Sequence, residues 1–322
     1  MTRLLLACCL WLITLCAFAA ETLTFGIGGT PQSLQGRTAQ EFTDRLQQRL
    51  GDDYNVELYL SGQIGDEREL VQKLRLGTVD LALVSSIMSS LVDEFALFDL
   101  PFLVADREHL KRIDAEIVKG ELAAAAEARG LHIVSTWENG FRQITNSARP
   151  IVTPKDLEGI KLRTPQSDWR VMMFRTWGAN PTPMAFSEVF VALQTGVIDG
   201  QENPMTNIYG AKFNEVQTYL SLTNHVYSPI WLTAGAGRWQ QLPPELRTAI
   251  EEVAAELQDW ALARGAEADA ELVDKLQQGG MTVTRAERQA FVDASAPVYK
   301  AYAEQVDNGQ AYIDRALELA TD

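Results

Sequence analysis

Two short runs bring together side chains that could hold an anion. Arg163 lies in KLRTP at 161–165, at the end of one expected strand, and Asn203 lies in DGQENP at 199–204, read as a polar turn just after another. A guanidinium presents a planar fork of donors that matches both oxygens of a carboxylate, and a nearby amide adds to the grip. The chemistry suggested is capture of an organic acid. Arg163 also fits a salt bridge between two halves of the molecule, and Asn203 before Pro204 also fits a plain turn residue, so local sequence leaves both readings open.

Other residues carry less by themselves. Glu67 follows GQIGD at 62–66 and opens a helix near a strand end, where it either faces a crevice or serves as a first-turn acid favoured by the helix dipole. Arg142 follows Gly140 and Phe141 in an expected connection, where a basic residue is often merely exposed. Phe186 and Trp231 are core residues by default.

Catalytic motifs are missing. GIGG at 26–29 follows a strand, but Pro31 stands where a dinucleotide fingerprint needs its last glycine. There is no Walker lysine motif and no G-x-S-x-G elbow. His109, His132 and His225 have no His or Cys at ligand spacing and read as structural or exposed. Glu251 and Glu252 fall on a long helix and read as a solvated face. No catalytic residue, cofactor or metal site is expected.

The start of the chain reads as a signal peptide. Arg3 is followed by an apolar stretch from Leu4 to Phe18, and Ala17 and Ala19 are placed for cleavage after residue 19. That stretch falls short of the ~20 residues a bilayer span needs. Cys8, Cys9 and Cys16, the three cysteines, all lie inside it, so the exported chain has no thiol for disulfides, zinc or nucleophilic chemistry. With 43 acidic and 28 basic residues the net charge is −15, which argues against a nucleic-acid partner. An anion site here must be a local basic pocket inside an acidic shell.

Two copies of one βαβαβ order are expected to position the candidates. The first runs strand 22–27, helix 35–50, strand 55–60, helix 67–76 and strand 79–84. The second runs strand 160–163, helix 168–177, an extended piece at 180–184, helix 186–195 and strand 197–200. Both close alike, L-x-x-G-x-V-D at 74–80 and L-x-x-G-x-I-D at 193–199. Strands at 133–137 and 144–146 are expected around a connection at 138–142, and a strand at 227–234 returns. A helix from about 242 to 277 would be ~50 Å long, enough to lie across both copies. Parallel sheets bind ligands beyond the carboxyl ends of their strands, where Arg163, Ser85 and residues 201–203 fall.

The runs WENGFRQ at 137–143, KLRTP at 161–165, GANPTPMAFSEV at 178–189, ALQTG at 192–196 and DGQENP at 199–204 closely resemble the DctP-type solute-binding proteins of tripartite ATP-independent periplasmic (TRAP) transporters. GQIGDER at 62–68, FDLPFL at 98–103 and KFNEV at 212–216 continue the match in order and spacing. The resemblance implies a two-lobed α/β clamshell that catches an organic acid and hands it to a TRAP-type membrane permease. It further implies that Arg163 pairs with the ligand carboxylate and that Arg142 is a second basic contact. Asn203 is the supporting amide, Phe186 an aromatic wall, and Glu67 an acid of the first lobe that contacts hydroxyls. Ser85 stands where sialic-acid binders of the family carry a glutamate, which puts a sialic acid ligand in doubt.

The expected protein is therefore a periplasmic monomer. Lobe I comprises residues 20–140 with 228–266, and lobe II comprises 141–227 with 267–322. A ligand-sensing subunit and an enzyme on the same scaffold are the competing readings.

Overall fold

The computed structural model describes residues 20–320; the expected signal peptide, with its cysteines, lies outside the described residues. The first unit forms as expected. β1 (Glu21–Gly26), β2 (Tyr54–Tyr59) and β3 (Leu81–Val84) run parallel in the order β2-β1-β3, joined by helices Leu34–Leu50 and Glu67–Leu76. The second of these helices starts on a capping box, in which the Glu69 amide donates to Asp66 at 2.9 Å and the Asp66 amide to Glu69 at 3.0 Å. Such a cap is worth ~1 kcal/mol and fixes the first turn, which carries Glu67. Gly77 ends the helix at φ 70°, and Gly196 turns the chain after the equivalent helix at φ 72°, a left-handed conformation that costs glycine little.

The segment between the units departs from expectation. Instead of two strands around a connection, β4 (Leu131–Asn146) runs unbroken, with register shifts at 133/135 and 138/140. Gly140 and the polar pair Glu138–Asn139 look like a turn, yet both side chains are buried and bonded, and Gly140, at φ 119°, takes up the bulge.

β5 (Lys161–Thr164), β6 (Asn180–Pro183) and β7 (Gly200–Pro204) build the second sheet, to which β8 (Tyr219–Leu222) and β10 (Thr282–Arg285) add. β7 is a second correction, since the strand expected at 197–200 forms three residues later. Residues 200–204 of the run read as a polar turn form a wholly buried strand between β4 and β5. Its polar side chains satisfy one another inside the sheet, so no apolar alternation marks it.

β9 (Tyr227–Gly235) pairs with β3 and with residues 131–141 of β4, whereas residues 142–146 of β4 pair with β7 and β8. One strand thus serves both sheets of a two-lobed clamshell.

The long helix spans Pro244–Gln278 and lies across both units. Leu246, Ile250, Val253 and Leu257 pack with Leu23, Phe42 and Trp137. Farther along, Ala268, Leu272 and Leu276 pack with Ile208, Phe213 and Leu220. Three closing helices follow, whose Phe291, Tyr302 and Ile313 share a core with Phe95, Leu110 and Trp169.

Candidate functional site

The strand ends of the two sheets enclose a cleft of about 650 Å³, part of it open to solvent, and all five candidate residues line it. Glu67 stands on the first unit, while Arg142, Arg163, Phe186 and Asn203 stand beyond the crossover on β4.

Arg163 sits on β5 opposite Gln201 of β7 and is 3% exposed. Its Nε and Nη2 both donate to the Met184 carbonyl, at 3.0 and 2.6 Å, which aims the guanidinium. No carboxylate of the described residues lies within 4.0 Å, so the salt bridge open to it on sequence does not form. Burial pushes its pKa down to about 10, still far above neutrality, so a buried positive charge faces the cleft.

Arg142 is not the exposed residue of a connection. It is buried on β4 and gripped by Glu202, to which its Nε donates and its Nη2 donates at 2.9 Å, with a further bond from Nη2 to the Glu202 carbonyl at 2.7 Å. Glu202 also receives Arg170 Nη1 at 3.5 Å and meets His225 Nε2 at 3.1 Å. Arg170 in turn donates to Asp99 at 2.7 Å, and Ser89 and Ser167 close that carboxylate at 2.6 Å each. Two cations thus meet two anions, as buried charges require. Despite its burial, Glu202 is held far below the usual carboxylate range by Arg142 and Arg170, and burial lowers His225 to about 4.

Asn203 belongs to β7 and not to a turn. Its Oδ1 accepts from Arg142 and from Asn207, both at 3.3 Å, and its Nδ2 donates to Gln201 at 2.6 Å. Phe186 is half-buried in a short turn of helix and meets Phe213 edge-on with centroids 5.8 Å apart. Glu67 accepts from the Ser85 amide at 3.3 Å. Desolvation raises its pKa, while that amide and the Arg163 charge oppose the rise.

Several cleft residues carry no sequence signal of their own. Gln35 donates to Asn139 at 2.8 Å and Asn207 donates to the same oxygen at 3.2 Å, linking a helix of the first unit, the crossover strand and a helix of the second unit. Asn139 lay inside WENGFRQ and Asn207 just beyond DGQENP, so those runs were the only pointers; nothing marked Gln35. The histidines serve structure: His109 bonds Ala316, His132 stacks on Trp239, and His225 lies in the ionic network. Trp231 is core, edge-on to Phe95.

The family described as bacterial extracellular solute-binding protein, family 7 (DctP), matches residues 25–305. The 2,3-diketo-L-gulonate-binding periplasmic protein of Escherichia coli is 36% identical over 86% of this chain and 85% of its own. A TRAP periplasmic solute-binding protein of Polaromonas sp. JS666, solved with D-erythronate, has a TM-score of 0.87 and 33% identity over 92% of this chain and 98% of its own. The sugar acid binding protein DctPAm of Advenella mimigardefordensis, solved with galactonate, has a TM-score of 0.89 and 31% identity over 94% and 98%. The chain belongs to the DctP family of bacterial extracellular solute-binding proteins, which are transport proteins and not enzymes.

Proposed function

We propose that this protein captures a carboxylate-bearing organic acid between its lobes and delivers it to a TRAP-type membrane permease for secondary-active uptake. The observation that carries the reading is Arg163, a buried guanidinium aimed by a backbone carbonyl and without a carboxylate partner. An incoming carboxylate supplies the missing countercharge. Asn203 and Arg142 shape the same corner, Phe186 forms a wall, and Glu67 closes the cleft from lobe I. The lobes divide as 20–140 with 228–266 against 141–227 with 267–322, turning where β4 changes partners. The protein works in the periplasm as a monomer after cleavage at residue 19. That location accords with the family, and no helix among the described residues is long and apolar enough to cross a membrane.

A thermal-shift screen over small organic acids tests the reading. An acid that binds raises stability by RT ln(1 + [L]/Kd), about 2.7 kcal/mol at a hundredfold excess over Kd. An acid that stabilises wild type but not Arg163→Ala supports the assignment. No shift from any acid, or equal shifts in both proteins, removes it.

A further inference from the structure

We infer that the cleft selects a monocarboxylate whose other polar groups are hydroxyls, a sugar acid of the aldonate kind, and rejects dicarboxylates of similar length. The inference rests on Arg163 as the carboxylate anchor and concerns what the rest of the wall accepts.

Two guanidiniums line the cleft, but only one has charge to spare. Arg142 is held by Glu202, and Arg170 behind it is shared between Glu202 and Asp99. Arg163 alone among the cleft-lining residues is a cation without a carboxylate partner, so one ligand carboxylate is neutralised and a second is not. The first-unit wall is acidic, with Glu67 in the cleft and Asp66 beside it. A second ligand carboxylate meets like charge there, in a partly desolvated space where repulsion is weakly screened. The wall between these ends is neutral. Gln35, Asn139 and Asn207 join in an amide chain, and Ser85 takes a 3.4 Å bond from Asn139. Amides offer donors and acceptors together, and a carboxylate accepts hydroxyl hydrogens, so this surface complements a polyol. Burial raises the Glu67 pKa, and the Ser85 amide at 3.3 Å and the Arg163 charge oppose that rise.

Calorimetry with paired probes tests this. D-erythronate, D-gluconate and D- and L-galactonate supply hydroxylated monocarboxylates. Galactarate keeps the six-carbon hydroxylated chain but ends in two carboxylates, succinate is a diacid without hydroxyls, and galactitol is a polyol without a carboxylate. At least one aldonate is expected to bind tenfold or more tightly than galactarate and succinate. Glu67→Gln should weaken the aldonate and strengthen galactarate. Asp66→Asn keeps the helix cap and should shift the pair in the same sense, which covers the case of a misfolded Glu67 variant. A diacid that binds as well as every aldonate, no aldonate binding, or a preference unmoved in both variants overturns the inference. A diacid bound through Arg163 leaves the broader organic-acid reading standing, whereas galactitol bound as tightly as galactonate removes that reading itself.

Discussion

At the residue scale, Arg163 combines burial, a full charge and the lack of an acidic partner, which is costly for folding. Replacing it should therefore separate stability from function. Arg163→Met is expected to raise the ligand-free unfolding free energy by ~0.5–2 kcal/mol, seen as a higher melting point, while abolishing acid binding. Arg163→Lys keeps the charge but loses the fork and should cost binding ~1.5–3 kcal/mol, measured by calorimetry. A Lys variant that binds like wild type would show that a point charge suffices. His225 makes the opposite contribution. Buried between Phe174 and Trp177 and facing Glu202, Arg142 and Arg170, it takes up a proton only below about pH 4, against about 6.5 when unfolded. The unfolded chain binds more protons across that window, so stability present above pH 6.5 is lost as pH falls through 4, to roughly 3 kcal/mol. Urea unfolding at stepped pH should show that slope, flattened in His225→Gln. Arg163 stood out in the sequence as a guanidinium at a strand end, and the structure places it in the cleft, while its role as a carboxylate anchor came from the family resemblance. The partner of Arg142 was not legible, because nothing in the sequence tells which acid, sixty positions away, will meet a given base.

At the element scale, the helices of the first unit, the long helix and the first-unit strands were legible from periodicity, caps and glycine stops, whereas the three closing helices were not read. β4 and β7 were not legible, because central strands that carry a polar network inside a sheet lose the apolar alternation that marks strands. The long helix holds another feature that spacing hides. At Gly265 a Cβ would lie 2.2 Å from Glu138 Oε1, where the carboxylate accepts from Arg107 at 2.6 Å, and the same guanidinium reaches Asp269 of the helix at 2.6 Å. A glycine inside a helix costs ~1 kcal/mol relative to alanine, so Gly265→Ala would be stabilising on propensity alone. Here the sign should reverse. Displacing a buried ion pair outweighs the gain, and a net loss of ~1–3 kcal/mol is expected in thermal or urea unfolding. An unchanged or raised midpoint would mean that Glu138 can move aside freely.

At the scale of the whole molecule, the polar groups that line one cleft are divided between two units joined through β4 and the long helix. The ligand should therefore draw the lobes together, and solution scattering should show a smaller radius of gyration at saturation. Identical curves with and without ligand would argue for a fixed cleft. The acidic shell acts before any such closure. With 43 acidic residues against 28 basic ones, an approaching anion climbs a repulsive potential until it comes within reach of Arg163. Added neutral salt flattens that outer barrier, because screening acts over ~8 Å at physiological ionic strength, but it hardly touches the buried contact. Stopped-flow association should thus speed up by roughly two- to tenfold from dilute buffer to physiological salt, while dissociation holds constant. Most oppositely charged partners part as salt is added; this protein and its anion should instead find each other faster.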